Sequence, residues 1–274
     1  MGIWRHAIPA AAALAVGVSP GLAGAQGVDP AQLVRAEVIP GWRTTDGTHM
    51  AALHLTLAEG WKTYWRSPGD SGFPPRFDWA GSENLAGVEA HWPRPDVFDT
   101  GGVRTIGFDR ELVLPLEVTL TDEGGPARLV AMVDVGVCET VCVPVQLVLD
   151  AALPAAGGAA DARILAALER RPAAAAEAGV GRVDCVLTPT DDGLRLTATL
   201  ELPDQGAPEV AVLELPGGEV WISPTATRRE GPLLIAEATL VALAGGTPSV
   251  DRAALRVTVL GDGRAVEVEG CPAP

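Results

Sequence analysis

The chain has 274 residues, 47% of them hydrophobic, enough for one large domain or two smaller ones with real cores. Its formal net charge of −15 argues against nucleic acid and against anionic membrane surfaces as partners. No Ser-His-Asp grouping, phosphate-binding loop or paired-carboxylate motif points to a hydrolase.

The first 25 residues have the form of a signal peptide. Arg5 and His6 precede an Ala-rich apolar run over residues 7–18, and Ala23-Gly24-Ala25 is a small-x-small cleavage site. The run is too short to span a bilayer. Cleavage near Ala25 gives an exported, periplasmic chain, whose charge moves from −15 to −16 as Arg5 is lost. No later stretch reaches about 18 apolar residues, so no direct membrane span is expected.

After a lead-in with a first strand near residues 33–39, residues 50–57 alternate. Ala51, Leu53, Leu55 and Leu57 face one way, and Ala52, His54 and Thr56 the other, as in a half-buried strand. Residues 60–75 are dense in aromatics, Gly and Pro and predict a strand running into a long ordered loop. Short strands are expected at residues 77–79 and 88–92. Three cleanly alternating runs follow, on Leu112 to Leu120, Leu129 to Val135 and Val143 to Leu149. Strands at this spacing, without a βαβ rhythm, predict an antiparallel sandwich over residues 26–153. Residues 154–181 form a linker in which Asp161 caps a short helix, with Ile164, Leu165 and Leu168 on one face and Pro172 at its end. Alternation returns in residues 182–274, predicting a second, smaller β-sandwich and an all-β protein overall.

Four cysteines in an oxidising compartment permit disulfides in three pairings. Cys138 and Cys142 cannot close on one straight strand, where four steps cover about 13 Å, because a disulfide needs its Cα atoms within about 7 Å. The β-branched neighbours Val137, Thr140, Val141 and Val143, with Pro144 next, disfavour a helical turn. A tight hairpin tip results, with Glu139, Thr140 and Val141 in its loop. None of these is Gly, Asn or Asp, so the turn is expected to be strained and the bond easily reduced. Joining Cys185 to Cys271 closes a loop worth roughly 4.5 kcal/mol in the chain-entropy model, against about 2 kcal/mol for the small loop. Cys185–Cys271 is therefore the structural candidate.

The run Gly60-Trp61-Lys62-Thr63-Tyr64-Trp65-Arg66-Ser67-Pro68-Gly69-Asp70-Ser71-Gly72-Phe73-Pro74-Pro75, together with Phe77-Asp78-Trp79, Trp92-Pro93, Ile106-Gly107-Phe108 and Val137-Cys138 through Cys142-Val143-Pro144, resembles the periplasmic N-terminal domain of DsbD-type thiol:disulfide interchange proteins, in the suppressor-of-copper-sensitivity branch. The resemblance covers roughly residues 35–150 and, more weakly, the second half. It implies an immunoglobulin-like sandwich in which Cys138 and Cys142 are a redox pair under an aromatic cap, with Tyr64, Trp65 and Phe73 as cap candidates. It also implies a thioredoxin-like reductant at the inner membrane and periplasmic disulfide-bearing acceptors, a setting linked to cytochrome c biogenesis and copper tolerance. The spacer between the cysteines is shorter than in the better-known enterobacterial members. With no transmembrane domain or Cys-x-x-Cys module in this sequence, electrons are expected from another polypeptide.

Glu139 or Asp70 near a thiol would raise its pKa or take its proton, and Lys62 or Arg66 would lower it. No cofactor and no resident metal are expected. Two other readings stand beside exchange. One is a binding or assembly module with an inert disulfide. The other is a copper-handling protein, in which His54 or His91 assists the thiolates.

Overall fold

A computed structural model describes Gly2, residues 29–156 and residues 158–274. The signal-peptide segment lies, apart from Gly2, outside these residues. No helix among the described residues is long and apolar enough to cross a membrane.

The first unit is a two-sheet sandwich. After a four-residue helix α1 (Pro30–Leu33), one sheet runs β1 (Val34–Arg43), β2 (His49–Leu57), β8 (Glu111–Leu120), β5 (Leu85–Ala90). The other runs β10 (Cys142–Leu153), β9 (Ala127–Cys138), β3 (Lys62–Gly69), β7 (Val103–Asp109), β6 (Asp96–Thr100), with β4 (Arg76–Asp78) also on β9. The alternating Leu and Val positions of β2, β8 and β9 point between the sheets. Leu114, Val118, Leu129 and Val133 are fully buried there, with Trp65 among them. That packing is the main stabilising contribution of the unit.

Helix α2 (Ala162–Glu169) is tied to this sandwich. The Asp161 carboxylate accepts from the Arg163 backbone N–H at 2.8 Å, capping its first turn. Ile164 is fully buried against Ile39, Met50 and Ala52, with Leu168 alongside. Two sequence expectations change as a result. The start of β2 is buried on both faces instead of one, because the helix covers Ala52. Leu165 is 42% exposed, and Ala167 takes its place in the buried stripe with Ile164 and Leu168, the i, i+3, i+4 spacing of one helix face.

The second unit is also a two-sheet sandwich. One sheet runs β11 (Ala173–Ala174), β19 (Ala265–Glu269), β18 (Arg256–Leu260), β14 (Val210–Glu214). The other runs β12 (Val183–Thr190), β13 (Gly193–Glu201), β17 (Leu233–Ala242), β15 (Val220–Ile222), with β16 (Ala226–Glu230) also on β17. All pairings are antiparallel except β11 with β19. Cys185 and Cys271 are bonded and both 1% exposed, fastening β12 to the C-terminal end.

The sheet containing β14 is buried on both faces. Ala211 and Leu213 join the second core, whereas Val210 and Val212 join the first. On this shared face Arg66 of β3 bonds Glu214 through Nε at 3.0 Å and also meets Glu267 and Thr258. Burial opposes the Arg66 charge, but the hydrogen bond and charge of Glu214, then those of Glu267, outweigh it and hold its pKa above the ordinary guanidinium value.

Candidate functional site

The cysteine hairpin forms because β9 and β10 are long alternating strands in continuous register from Ala127↔Leu153 to Cys138↔Cys142. That register places the two sulfurs opposite each other, and they are bonded, with Cα atoms 4.1 Å apart. Glu139, Thr140 and Val141 make the connection, closed by the Glu139 N–H donating to the Val141 carbonyl at 3.2 Å. No non-glycine residue of this loop has a positive φ. The turn therefore stays out of the left-handed region, the conformation for which Gly, Asn or Asp would be needed.

The two sulfurs are unequally placed. Cys138 is 7% exposed, while Cys142 is exposed at the sheet edge. β10 is the outermost strand of its sheet, so nothing in the sheet covers Cys142 from that side. Tyr64 lies across both, its hydroxyl 2.9 Å from Cys138 Sγ and 3.3 Å from Cys142 Sγ. Burial pushes the Tyr64 phenol above its usual pKa. It thus remains an O–H donor aimed at sulfur, the arrangement that stabilises a thiolate released there.

Close approach to the ring of Tyr64 needs glycine on two sides. A Cβ on Gly72 would lie 2.5 Å from the ring, and one on Gly136 would lie 3.1 Å from it. The loop that holds Gly72 is pinned by Asp70, whose carboxylate accepts from the Arg104 N–H at 2.9 Å while its own N–H donates to the Arg104 carbonyl. Beside the sulfurs opens a groove of about 230 Å³, whose lining includes Lys62, Tyr64, Phe98, Glu139, Cys138 and Cys142. The Lys62 ammonium sits 4.1 Å from the centre of the Phe98 ring.

The residues expected at the site separate accordingly. Tyr64 covers the sulfurs, and Glu139 lines the groove. Phe73 is on the same side, 58% exposed, with its Cβ 3.3 Å from where a Gly136 Cβ would stand. Asp70 is a loop anchor bonded to Arg104. Trp65 is no cap. It is 0% exposed in the core, because neighbours on a strand point to opposite faces and Tyr64 takes the outer one. Arg66 is bound up with Glu214 and Glu267 at the second unit, leaving Lys62 as the cation at the groove. Phe98 was not foreseen. It lies on β6, whose Asp-Val-Phe-Asp-Thr sequence carries little strand signal. His54 lies between Glu37 and Glu111, and His91 bonds Glu117. Among the described residues no group of three or more His, Cys, Asp or Glu is placed to hold a metal.

Comparison with known proteins adds a family similarity and a fold. Residues 31–154 match the family model described as thiol:disulfide interchange protein DsbD, N-terminal. A search of curated proteins gives no match. Among solved structures, the crystal structure of the N-terminal periplasmic domain of ScsB from Proteus mirabilis has a similar fold, with a TM-score of 0.62 at 23% identity, covering 88% of this chain and 92% of that one. The cysteine hairpin and the Tyr64 strand both fall inside the matched segment, so the part of the chain that is similar to the DsbD N-terminal, thiol:disulfide interchange family is the part that carries the site.

Proposed function

We propose that Cys138–Cys142 is a working redox couple that takes electrons from a thioredoxin-like reductant and passes them to disulfide-bearing acceptors in the periplasm. The observation that carries this reading is the Tyr64 hydroxyl within hydrogen-bonding distance of both sulfurs of a disulfide with one exposed end. An inert structural bond needs neither feature. The export signal expected before Ala25 fits this compartment. We also propose the division into residues 26–153, 154–181 and 182–274, with the first part carrying the exchange.

A thiolate of the reductant attacks Cys142 Sγ, the exposed sulfur; a new intermolecular S–S bond forms and the Cys138–Cys142 bond breaks. The electron pair leaves on Cys138 Sγ, where the Tyr64 O–H meets the new thiolate. The second thiol of the reductant then attacks its own sulfur in the mixed disulfide and releases Cys142. Two electrons have passed, the reductant holds a disulfide, and Cys138 and Cys142 take up two protons as thiols. The reverse sequence on an acceptor disulfide restores the bond.

Single-cysteine variants test the order of attack. With Cys138→Ser charged at Cys142 as a mixed disulfide with 2-nitro-5-thiobenzoate, the thiolate of a thioredoxin variant lacking its resolving cysteine should attack Cys142 Sγ, displace the aromatic thiolate and leave a mixed disulfide between the two proteins. With Cys142→Ser, the buried Cys138 should couple at least about tenfold more slowly, as accessibility controls thiol exchange. Equal rates, followed by mass spectrometry, would remove Cys142 as the entry point.

A further inference from the structure

Of the 20 Lys and Arg residues in the chain, Lys62 is the sole lysine. It opens β3 directly opposite Cys138, and Cys138 is in turn opposite Cys142, so the three form one row across β3, β9 and β10. Opposite residues on neighbouring strands share a face. At about 4.8 Å between strands, Lys62 stands one strand from Cys138 and two strands, roughly 10 Å, from Cys142. Tyr64 is the next residue on that face of β3, and its hydroxyl reaches both sulfurs.

The Lys62 charge is not neutralised by the acids around it. Among the described residues it joins no ion pair, and each acid nearby is held in another way. Asp109, opposite it on β7, lies 3.6 Å from Arg110. Asp96 of β6 lies 3.6 Å from Arg94. The Glu139 carboxylate is turned against Gly60, with Oε1 3.1 Å from where a Gly60 Cβ would stand. The ammonium instead rests over Phe98 across the groove, 4.1 Å from the ring centre. A disulfide is neutral and does not draw the ammonium from the ring. A thiolate in the neighbouring row position does, and the half-enclosed groove strengthens that attraction relative to open water. Lysine suits such a place because its charge sits on one atom at the end of a flexible stem, whereas arginine is planar and stays stacked on rings.

We propose that Lys62 gives the disulfide its polarity. It stabilises negative charge on Cys138 more than on Cys142, makes Cys138 the leaving sulfur, and so directs an attacking thiolate to Cys142. This rests on the exchange reading of Cys138–Cys142. As the S–S bond breaks, its electron pair comes to Cys138 Sγ on the Lys62 side; that thiolate later takes a proton from water, and Lys62 keeps its own. An opposite charge within about 4–6 Å lowers the pKa of an acid by about 1–3 units, and a thiol of lower pKa leaves faster. At about 10 Å, near the screening length at 0.1 M salt, the same charge does much less.

The first test is the pKa of each lone thiol, Cys138 in Cys142→Ser and Cys142 in Cys138→Ser, read from the pH dependence of alkylation by iodoacetamide. Lys62→Met keeps the stem beside Phe98 and removes the charge. It should raise the Cys138 pKa by about one unit and the Cys142 pKa by less than about half a unit. Lys62→Arg should recover more than half of the Cys138 change. The second test is the initial rate at which the oxidised full chain, with all four cysteines, is reduced by dithiothreitol and by cysteamine. Lys62→Met should slow both about threefold, as a poorer leaving group does. Cysteamine carries an ammonium beside its thiolate, so a loss confined to dithiothreitol would mean that Lys62 only attracts anionic reagents. That result overturns the proposal, as does an unchanged Cys138 pKa or an equal rise at both cysteines. If dithiothreitol leaves Cys138–Cys142 oxidised in the parent, the exchange reading itself fails; if the parent is reduced and Lys62→Met behaves like it, only the polarity proposal falls.

Discussion

Cys138–Cys142 closes a loop of sequence separation 4 at the tip of a hairpin, with one exposed sulfur and a tyrosine hydroxyl over both. Cys185–Cys271 closes a separation of 86, is 1% exposed at each end and packs within the second core. Loop length and burial both favour a stabilising role for the second and give the first little to stabilise. Access and a hydrogen-bond donor for a leaving thiolate favour exchange at the first and are missing at the second. On the proposed reading the same chemical bond serves two ends, set by where the strands place it.

The largest expected effect separates the two bonds outright. Cys142→Ser should abolish exchange and cost at most about 2 kcal/mol of stability, while Cys185→Ser should cost about 4 kcal/mol and leave exchange at Cys138–Cys142 in place. Exchange assays beside denaturant melts of the two variants read both quantities. Arg66→Met comes next. It leaves Glu214 and Glu267 facing each other at the joint between units, so about 2 kcal/mol should be lost on denaturation, without change in the dithiothreitol rate. Tyr64→Phe keeps the ring between Gly72 and Gly136 but removes the donor. Reduction should slow by roughly tenfold, the value of one hydrogen bond to a charged group, with little change in melting.

The smallest effect is in pH. Burial lowers the pKa of His49, whose Nε2 bonds the Pro40 carbonyl, and nearby Arg43 lowers it further. The unfolded chain then binds the proton more readily. His49 contributes stability that is complete above the unfolded value of about 6.5 and is lost as pH falls from there toward the folded value. Urea midpoints should fall between pH 7 and pH 5, less steeply in His49→Gln.

Much of the first unit was legible because its strands bury one face each. The alternating runs of β8, β9 and β10 could be read directly, and the two cysteines between β9 and β10 then had to meet at a turn. β6, β15 and β16 were not legible, since at three to five residues they are too short for a period to show. The double burial of β2 was hidden because it depends on α2, more than 100 residues later in sequence. At the site, Tyr64 and Trp65 were both expected over the sulfurs, although alternation allows only one of two neighbours on that face. Arg66 gave no sign of its partners, which lie 148 and 201 residues away. Such contacts are set by how the units pack, which local pattern does not encode.

The most direct measurement is the reduction potential of each disulfide in glutathione-buffered titrations, with the Cys138–Cys142 and Cys185–Cys271 peptides followed separately by mass spectrometry. The first should titrate above about −250 mV and the second should resist, as structural bonds below about −300 mV do. If both resist equally, Cys138–Cys142 is a structural staple and the relay is contradicted.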